Sequence, residues 1–181
     1  MNSCLAHDHA DLAKLLSELH AALDAGDTTL SYARLDRFWA RLGVHIRAEH
    51  LALFPAVVGA LQANPNNQTR DGPSLSQAEN LIEQLRADHD FFMHELARAI
   101  ATMRDLIANN AQDVASVLKD VRARVVAVEE RLATHNTIEE SQVYLWTAGV
   151  LSEGEQAELR TRLQNELGKL PHRFSANENQ T

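Results

Sequence analysis

The chain holds one cysteine, Cys4, with four prolines and seven glycines in 181 residues. A lone thiol closes no internal disulfide, which suits a reducing compartment. So few turn-forming residues argue against a β-sandwich or barrel and favour helices. No apolar run approaches the roughly 18 residues that suggest a membrane span. The opening MNSCLAHDHADL lacks the basic and apolar regions of a secretory leader. These absences predict a cytoplasmic protein with no membrane partner. Positive charge is also short, with 17 Lys and Arg against 25 Asp and Glu. No basic cluster occurs, which argues against nucleic acid as a partner. Histidine, by contrast, is abundant at nine residues.

The pattern predicts an all-α protein, an up-down-up-down antiparallel four-helix bundle with a short fifth C-terminal helix. Helix 1 runs from about Asp8 to Ala25 with Gly26 as its stop. Helix 2 covers about Ser31 to Gln62, with Pro55 as a kink or local irregularity. A long loop spans 64–74. Helix 3 starts with a Ser76/Glu79 capping box and ends near Asn109. Helix 4 runs from about Asp113 to Ala148, stopped by Gly149. A Ser152/Glu155 capping box opens helix 5, which ends before Pro171. Residues 1–171 read as one helical domain, with no internal repeat, and 172–181 as a flexible tail. Leu12, Leu16, Leu19 and Leu23 in helix 1, and Ile82, Leu85, Phe92, Leu96, Ile100 and Met103 in helix 3, form the apolar stripes.

At 100° per residue, His9, His45, His89 and His135 fall on or beside such stripes. His7, His50 and His94 are rotated away, with His50 and His94 read as surface residues or as residues behind the ligands; His172 lies in the tail, and His20 sits about three turns below His9. His45 and His135 each carry a carboxylate one turn later, Glu49 and Glu139, on the same face. His9 lies 17 residues before Gly26, and His45 lies 14 after Ser31. His89 lies 20 residues before Asn109, and His135 lies 22 after Asp113. At about 1.5 Å per residue, all six side chains reach one layer of the bundle. Buried carboxylates among leucines are costly unless paired, and a cation supplies the partner.

Four imidazoles and two carboxylates exceed the needs of one tetrahedral zinc. They suit two iron ions, each glutamate bridging both, with an oxo or hydroxo bridge and about one open position per metal. Manganese or zinc would also fit. Open positions in an apolar pocket admit a small diatomic or peroxide ligand such as O₂, NO or H₂O₂. A ferritin-like centre is disfavoured, because those bundles use GluxxHis pairs and every pair here is HisxxxGlu. Tyr144 and Trp146, one to two turns beyond Glu139, read as core. Phe92 and Met93 read as a dry wall around the metals.

The order His9, His45-Ile-Arg-Ala-Glu49, His89, His135-Asn-Thr-Ile-Glu139 resembles the hemerythrin/HHE cation-binding family. So do the flanks: Asp8-His9, Glu49-His-Leu-Ala-Leu-Phe-Pro55 and His135xxxGlu139-Glu140. The resemblance spans about residues 5–148. It implies a non-haem di-iron centre with four terminal histidines and with Glu49 and Glu139 as bridges. Met93 stands where oxygen-carrying members have a second histidine, and Glu139 where they have an aspartate. A four-His, two-Glu set is more similar to bacterial proteins that repair iron centres after nitrosative or oxidative stress. The implied function is binding or sensing of O₂, NO or peroxide, or iron handling under stress. Two alternatives remain beside it: a di-iron oxidoreductase consuming peroxide or NO, and an interaction module with a structural metal. No catalytic base is evident.

Overall fold

Leucines at three- and four-residue spacing bury one face of the first helix, α1 (Ser3–Asp24). It ends at Gly26, whose φ of 69° is the left-handed conformation that glycine adopts at low cost. Asp27 caps the second helix, α2 (Thr28–Ala48), by accepting from the Leu30 N–H at 2.9 Å. A π-helical turn, Glu49–Leu53, leads directly into α3 (Phe54–Ala63). The long helix α4 (Leu75–Asn109) returns along the bundle. Then come α5 (Val114–Ile138), a second π-helical turn (Glu139–Val143), α6 (Tyr144–Val150), α7 (Glu153–Leu167) and a short α8 (His172–Ser175). These elements belong to a computed structural model that describes residues 3–63, 72–109 and 113–175. Among the described residues there is no strand, so the chain has the predicted all-α architecture.

Several predicted boundaries move. Helix 1 starts at Ser3 rather than Asp8. The capping box of α4 is Ser74 with Gln77 rather than Ser76 with Glu79: the Gln77 N–H donates to Ser74 Oγ, and the Ser74 N–H to Gln77 Oε1. The helix containing Gly149 continues to Val150 and ends at an extended Leu151. Residues 64–71 of the predicted loop lie outside the described residues. So do 176–181 of the predicted tail, whose first residues form α8 and whose Arg173 pairs with Asp36 at 3.0 Å.

The irregularity predicted at Pro55 is present as the π turn that ends just before it, in which the Phe54 N–H reaches back five residues to the Glu49 carbonyl. Proline cannot donate to the Leu51 carbonyl one turn earlier. That carbonyl instead accepts from Arg162 Nη2 on α7 at 2.6 Å. Further bonds from Arg41 Nη1 to the Leu167 carbonyl and from Arg47 to Glu166 tie α7 to α2. The stretch Thr28–Ala63 is long and apolar enough by composition to cross a membrane, yet over half of its most apolar window is buried in the bundle.

Two apolar clusters fill the interior. One contains Leu12, Leu42, Phe92 and Leu132; the other contains Leu5, Ala48, Leu85 and Val143. His9, His45 and His89 each fall between a member of one cluster and a member of the other on the same helix, and His135 falls between Leu132 and Val143 of the following π turn. A polar layer is therefore sandwiched between two dry ones.

Candidate metal centre

His45 and Glu49 share a face of α2 because they are four residues apart, as are His135 and Glu139 at the end of α5. His9 on α1 and His89 on α4 complete the layer. All six predicted side chains are buried, and both glutamates have no exposed surface. Removing two carboxylates from water costs several kcal/mol each unless cations compensate.

The six side chains form two groups that share both glutamates: His9, His45, Glu49 and Glu139, and Glu49, His89, His135 and Glu139. Within each group the candidate donor atoms lie within 4.8 Å of one another. Glu49 sends Oε1 toward His45 Nε2 and Oε2 toward His89 Nε2, both at 3.2 Å. Glu139 sends Oε2 toward His9 Nε2 at 3.4 Å and Oε1 toward His135 Nε2 at 3.1 Å. Each carboxylate therefore divides its oxygens between the two groups.

The outer nitrogens are also engaged. His45 Nδ1–H donates to Asp8 Oδ2 at 2.7 Å, and Asp8 in turn is bound by Arg41. His135 Nδ1–H donates to Asp88 Oδ2 at 3.2 Å, and Asp88 Oδ1 accepts from Arg131 Nε at 2.6 Å. His9 Nδ1–H donates to Glu140 Oε1 at 2.8 Å. His89 Nδ1 pairs with His50 Nε2 at 2.9 Å. An ionised carboxylate only accepts, so His9, His45 and His135 carry their proton on Nδ1 and turn an Nε2 lone pair inward when neutral. His9 Nε2 then faces His45 Nε2 at 3.2 Å, and His89 Nε2 faces His135 Nε2 at 3.0 Å. Facing lone pairs repel unless a proton or a cation lies between them. Glu49 Oε2 and Glu139 Oε1 are buried without a hydrogen-bond partner, a cost that a cation removes. On these grounds the donor set fits metal ions: imidazole nitrogens and carboxylate oxygens, each histidine oriented from behind.

Without metal, His45 and His135 are shifted toward their protonated forms. Burial works to lower the pKa of His45, but the Glu49 carboxylate outweighs it and raises it. His135 is raised in the same way, with burial opposed by the Glu139 carboxylate 3.1 Å from its Nε2. For Glu49, burial pushes upward while His45 pulls further, leaving it well below the usual carboxylate range. Burial and the Glu139 and Glu49 charges push the Tyr144 phenol well above its usual value.

Four participants lie outside the ligand set read from the sequence. His50 takes the second of its two predicted places, behind a histidine rather than at the surface, and backs His89. Asp8 and Asp88 were visible only as neighbours of ligand histidines. Tyr144, read as core, is buried, but its hydroxyl lies 3.2 Å from His9 Nε2, 3.3 Å from Glu139 Oε2 and 3.4 Å from Glu49 Oε1. The dry wall is present in part: Phe92 is buried with its ring edge-on to His135 at 5.4 Å. Of the other histidines, His20 bonds Glu129 at 2.9 Å, while His7, His94 and His172 are exposed and apart from the centre.

These residues also expose a repeat that was not expected. Asp8-His9 recurs as Asp88-His89, and Arg41xxxHis45xxxGlu49 as Arg131xxxHis135xxxGlu139. Each aspartate holds the histidine of the next long helix, beside the arginine one turn before it. The residue after each glutamate backs a histidine from the other half: Glu140 backs His9, and His50 backs His89. The first residue after each π turn stacks on that same histidine. Tyr144 lies 5.9 Å from His9, and Phe54 lies 6.1 Å from His89.

Asp8→Asn and Asp88→Asn should each weaken metal binding about 10- to 100-fold, because each loses the carboxylate that orients one ligand histidine. A competition titration against a coloured chelator measures this, and unchanged affinity in both variants would contradict the orienting role.

A family model for the hemerythrin HHE cation-binding domain matches residues 2–147, a span that includes every residue of the centre. Comparisons with curated proteins and with solved structures give no match.

Proposed function

Because the chain belongs to the hemerythrin HHE cation-binding domain family, we propose that it is a di-iron protein of the cytosol that binds or senses O₂, NO or peroxide. Its ligands are His9, His45, His89 and His135, with Glu49 and Glu139 as bridges. One observation carries the reading: both glutamates divide their oxygens between two pairs of histidines, in a layer closed by apolar clusters on either side. A single cation would leave one pair of imidazoles facing each other with no partner. Two adjacent iron ions supply variable oxidation state and a coordination position for a small exogenous ligand.

The chain's own residues set the conditions. Asp8, Glu140 and Asp88 hold imidazole protons on the outer nitrogens, leaving inner lone pairs free. Glu49 and Glu139 fix the separation of the two positions. Phe92 and Phe54 exclude water beside His135 and His89, so charge inside the layer is weakly screened.

The test is anaerobic loading with ferrous iron, followed by metal analysis and then exposure to air or stoichiometric NO. About two irons per chain and a visible spectrum that changes with the oxidant support the proposal. A chain holding iron but indifferent to O₂, NO and peroxide would make the metal structural. A chain that takes up no metal would overturn the ligand assignment.

A further inference from the structure

The helix α7 (Glu153–Leu167) lies beyond the residues that the family model matches, and it packs chiefly on α1, α2 and the first π turn. Only Leu159, Leu163 and Leu167, spaced four apart, bury a face of it, and most of its other side chains are exposed. A helix of this length is marginal alone in water, so docking is what orders it. Its last carbonyls have no donor within the helix. The Leu167 carbonyl accepts from Arg41 Nη1 at 2.8 Å and the Glu166 carbonyl from Arg47 Nη2 at 3.3 Å. Positive charge is favoured at that end of a helix.

The two halves of the repeat use α7 unequally. Arg41 and Arg131 each hold the aspartate behind the histidine one turn on. Arg131 sets its guanidinium over the Phe91 ring of the neighbouring helix at 4.6 Å, whereas Arg41 reaches α7. The π turns differ in the same sense. Pro55 and Leu145 stand at corresponding places, two residues beyond Leu53 and Val143. Leu145 retains an N–H for the carbonyl four residues back, and Pro55 has none. The carbonyl so deprived, that of Leu51, accepts from Arg162 Nη2 on α7.

We propose that α7 is a positioning brace for one half of the centre. It steadies His45 through Arg41 and Asp8, and Glu49 through the Leu51 carbonyl of the π turn that Glu49 begins. His135 and Glu139 are steadied by the bundle alone. Opening of α7 therefore loosens the first half and leaves the second in place. The consequence for metal affinity rests on the paired-cation reading above; the unequal bracing does not.

The experiment is native-state hydrogen exchange on the metal-free full chain in sub-denaturing urea, resolved amide by amide. The amides of Glu49–Leu53 should open together with those of α7, as one unit, and those of Glu139–Val143 should exchange at least about tenfold more slowly. Leu163→Asp buries an unpaired carboxylate under α7 and should leave that helix open. Its Glu49–Leu53 amides should then lose protection while Glu139–Val143 keep theirs. Leu163→Met, similar in volume, should behave as wild type. With Mn²⁺ as probe and a coloured chelator as competitor, Leu163→Asp should bind about 10- to 100-fold more weakly than wild type, the size expected when ligand orientation is lost. If Leu163→Asp fails to fold, the exchange pattern of the wild type decides. A wild type that binds no Mn²⁺ would count against the paired-cation reading, and exchange alone would then judge the brace. Both turns opening alike with α7, or Mn²⁺ affinity unchanged in a chain whose α7 is open, would overturn this inference alone.

Discussion

Glu49→Ala and Glu139→Ala should each strip both of the proposed cations from the chain, whereas His9→Ala and His135→Ala should each strip one. The difference follows from how oxygens are shared. Glu49 faces His45 with one oxygen and His89 with the other, and Glu139 faces His9 and His135 in the same manner. Deleting a bridge removes a donor from both positions and leaves each cation with three protein ligands. It also removes half the buried negative charge that offsets two adjacent cations. Deleting a terminal histidine leaves the opposite position with its full set. Metal analysis after dialysis should return close to two ions per wild-type chain, about one for the histidine variants and nearly none for the glutamate variants. One ion retained in both glutamate variants would show that the carboxylates do not bridge. Folding has to be checked in parallel, because removing one partner of a buried ion pair costs about 3–5 kcal/mol. The metal-free wild type, measured by the same denaturation, supplies the reference.

How far the centre could be read from the residues depends on where each lies relative to the π turns. His9, His45, His89 and His135 sit on ordinary α-helix, so a rotation of 100° per residue puts them on the core face. Glu49 and Glu139 are the last residues for which that arithmetic works. Beyond them the chain makes a wider turn closed by a bond five residues long, from Phe54 to Glu49 and from Tyr144 to Glu139. The fifth residue, not the fourth, then stands above the glutamate. A regular helix would have set Leu53 and Val143 there and turned Phe54 and Tyr144 aside. Tyr144 therefore reads as plain core, and His50 as turned from the stripe, for the same reason. Nothing in the composition of either turn announces a π geometry, although Pro55 marks the place where one of them ends. The repeat was obscured differently. Its Asp-His elements lie 80 residues apart and its ArgxxxHisxxxGlu elements 90 apart, with unrelated residues between them. No single offset aligns the halves, and only the contacts of Asp8 with His45 and of Asp88 with His135 reveal the correspondence.

Stability should depend on pH with opposite sign in the metal-free and metal-loaded chain. In the metal-free chain, His45 and His135 are raised above the ordinary histidine value of 6.5. Their protonated forms therefore stabilise the fold fully below about pH 6.5, and that contribution is lost as pH rises through the raised values. Glu49 is held well below its ordinary 4.5, so its contribution is present above about pH 4.5 and is lost as pH falls through the depressed value. Metal-free protein should thus be most stable in mildly acidic solution and weaken toward pH 8.5. A cation requires the unprotonated imidazoles, so binding expels those protons, and affinity gains up to about tenfold per pH unit for each proton released. Loaded protein should therefore gain stability over the same interval. At about a thousandfold excess of metal over its dissociation constant the gain is about 4 kcal/mol, equivalent to a rise in Tm on the order of 10 °C for a chain of this size. Calorimetry with Mn²⁺ or with a chelator, at pH 6 and pH 8.5, reads both slopes without interference from air oxidation. Parallel slopes would mean that the imidazoles do not exchange their protons for metal, and the two facing nitrogen pairs would then be held by protons alone.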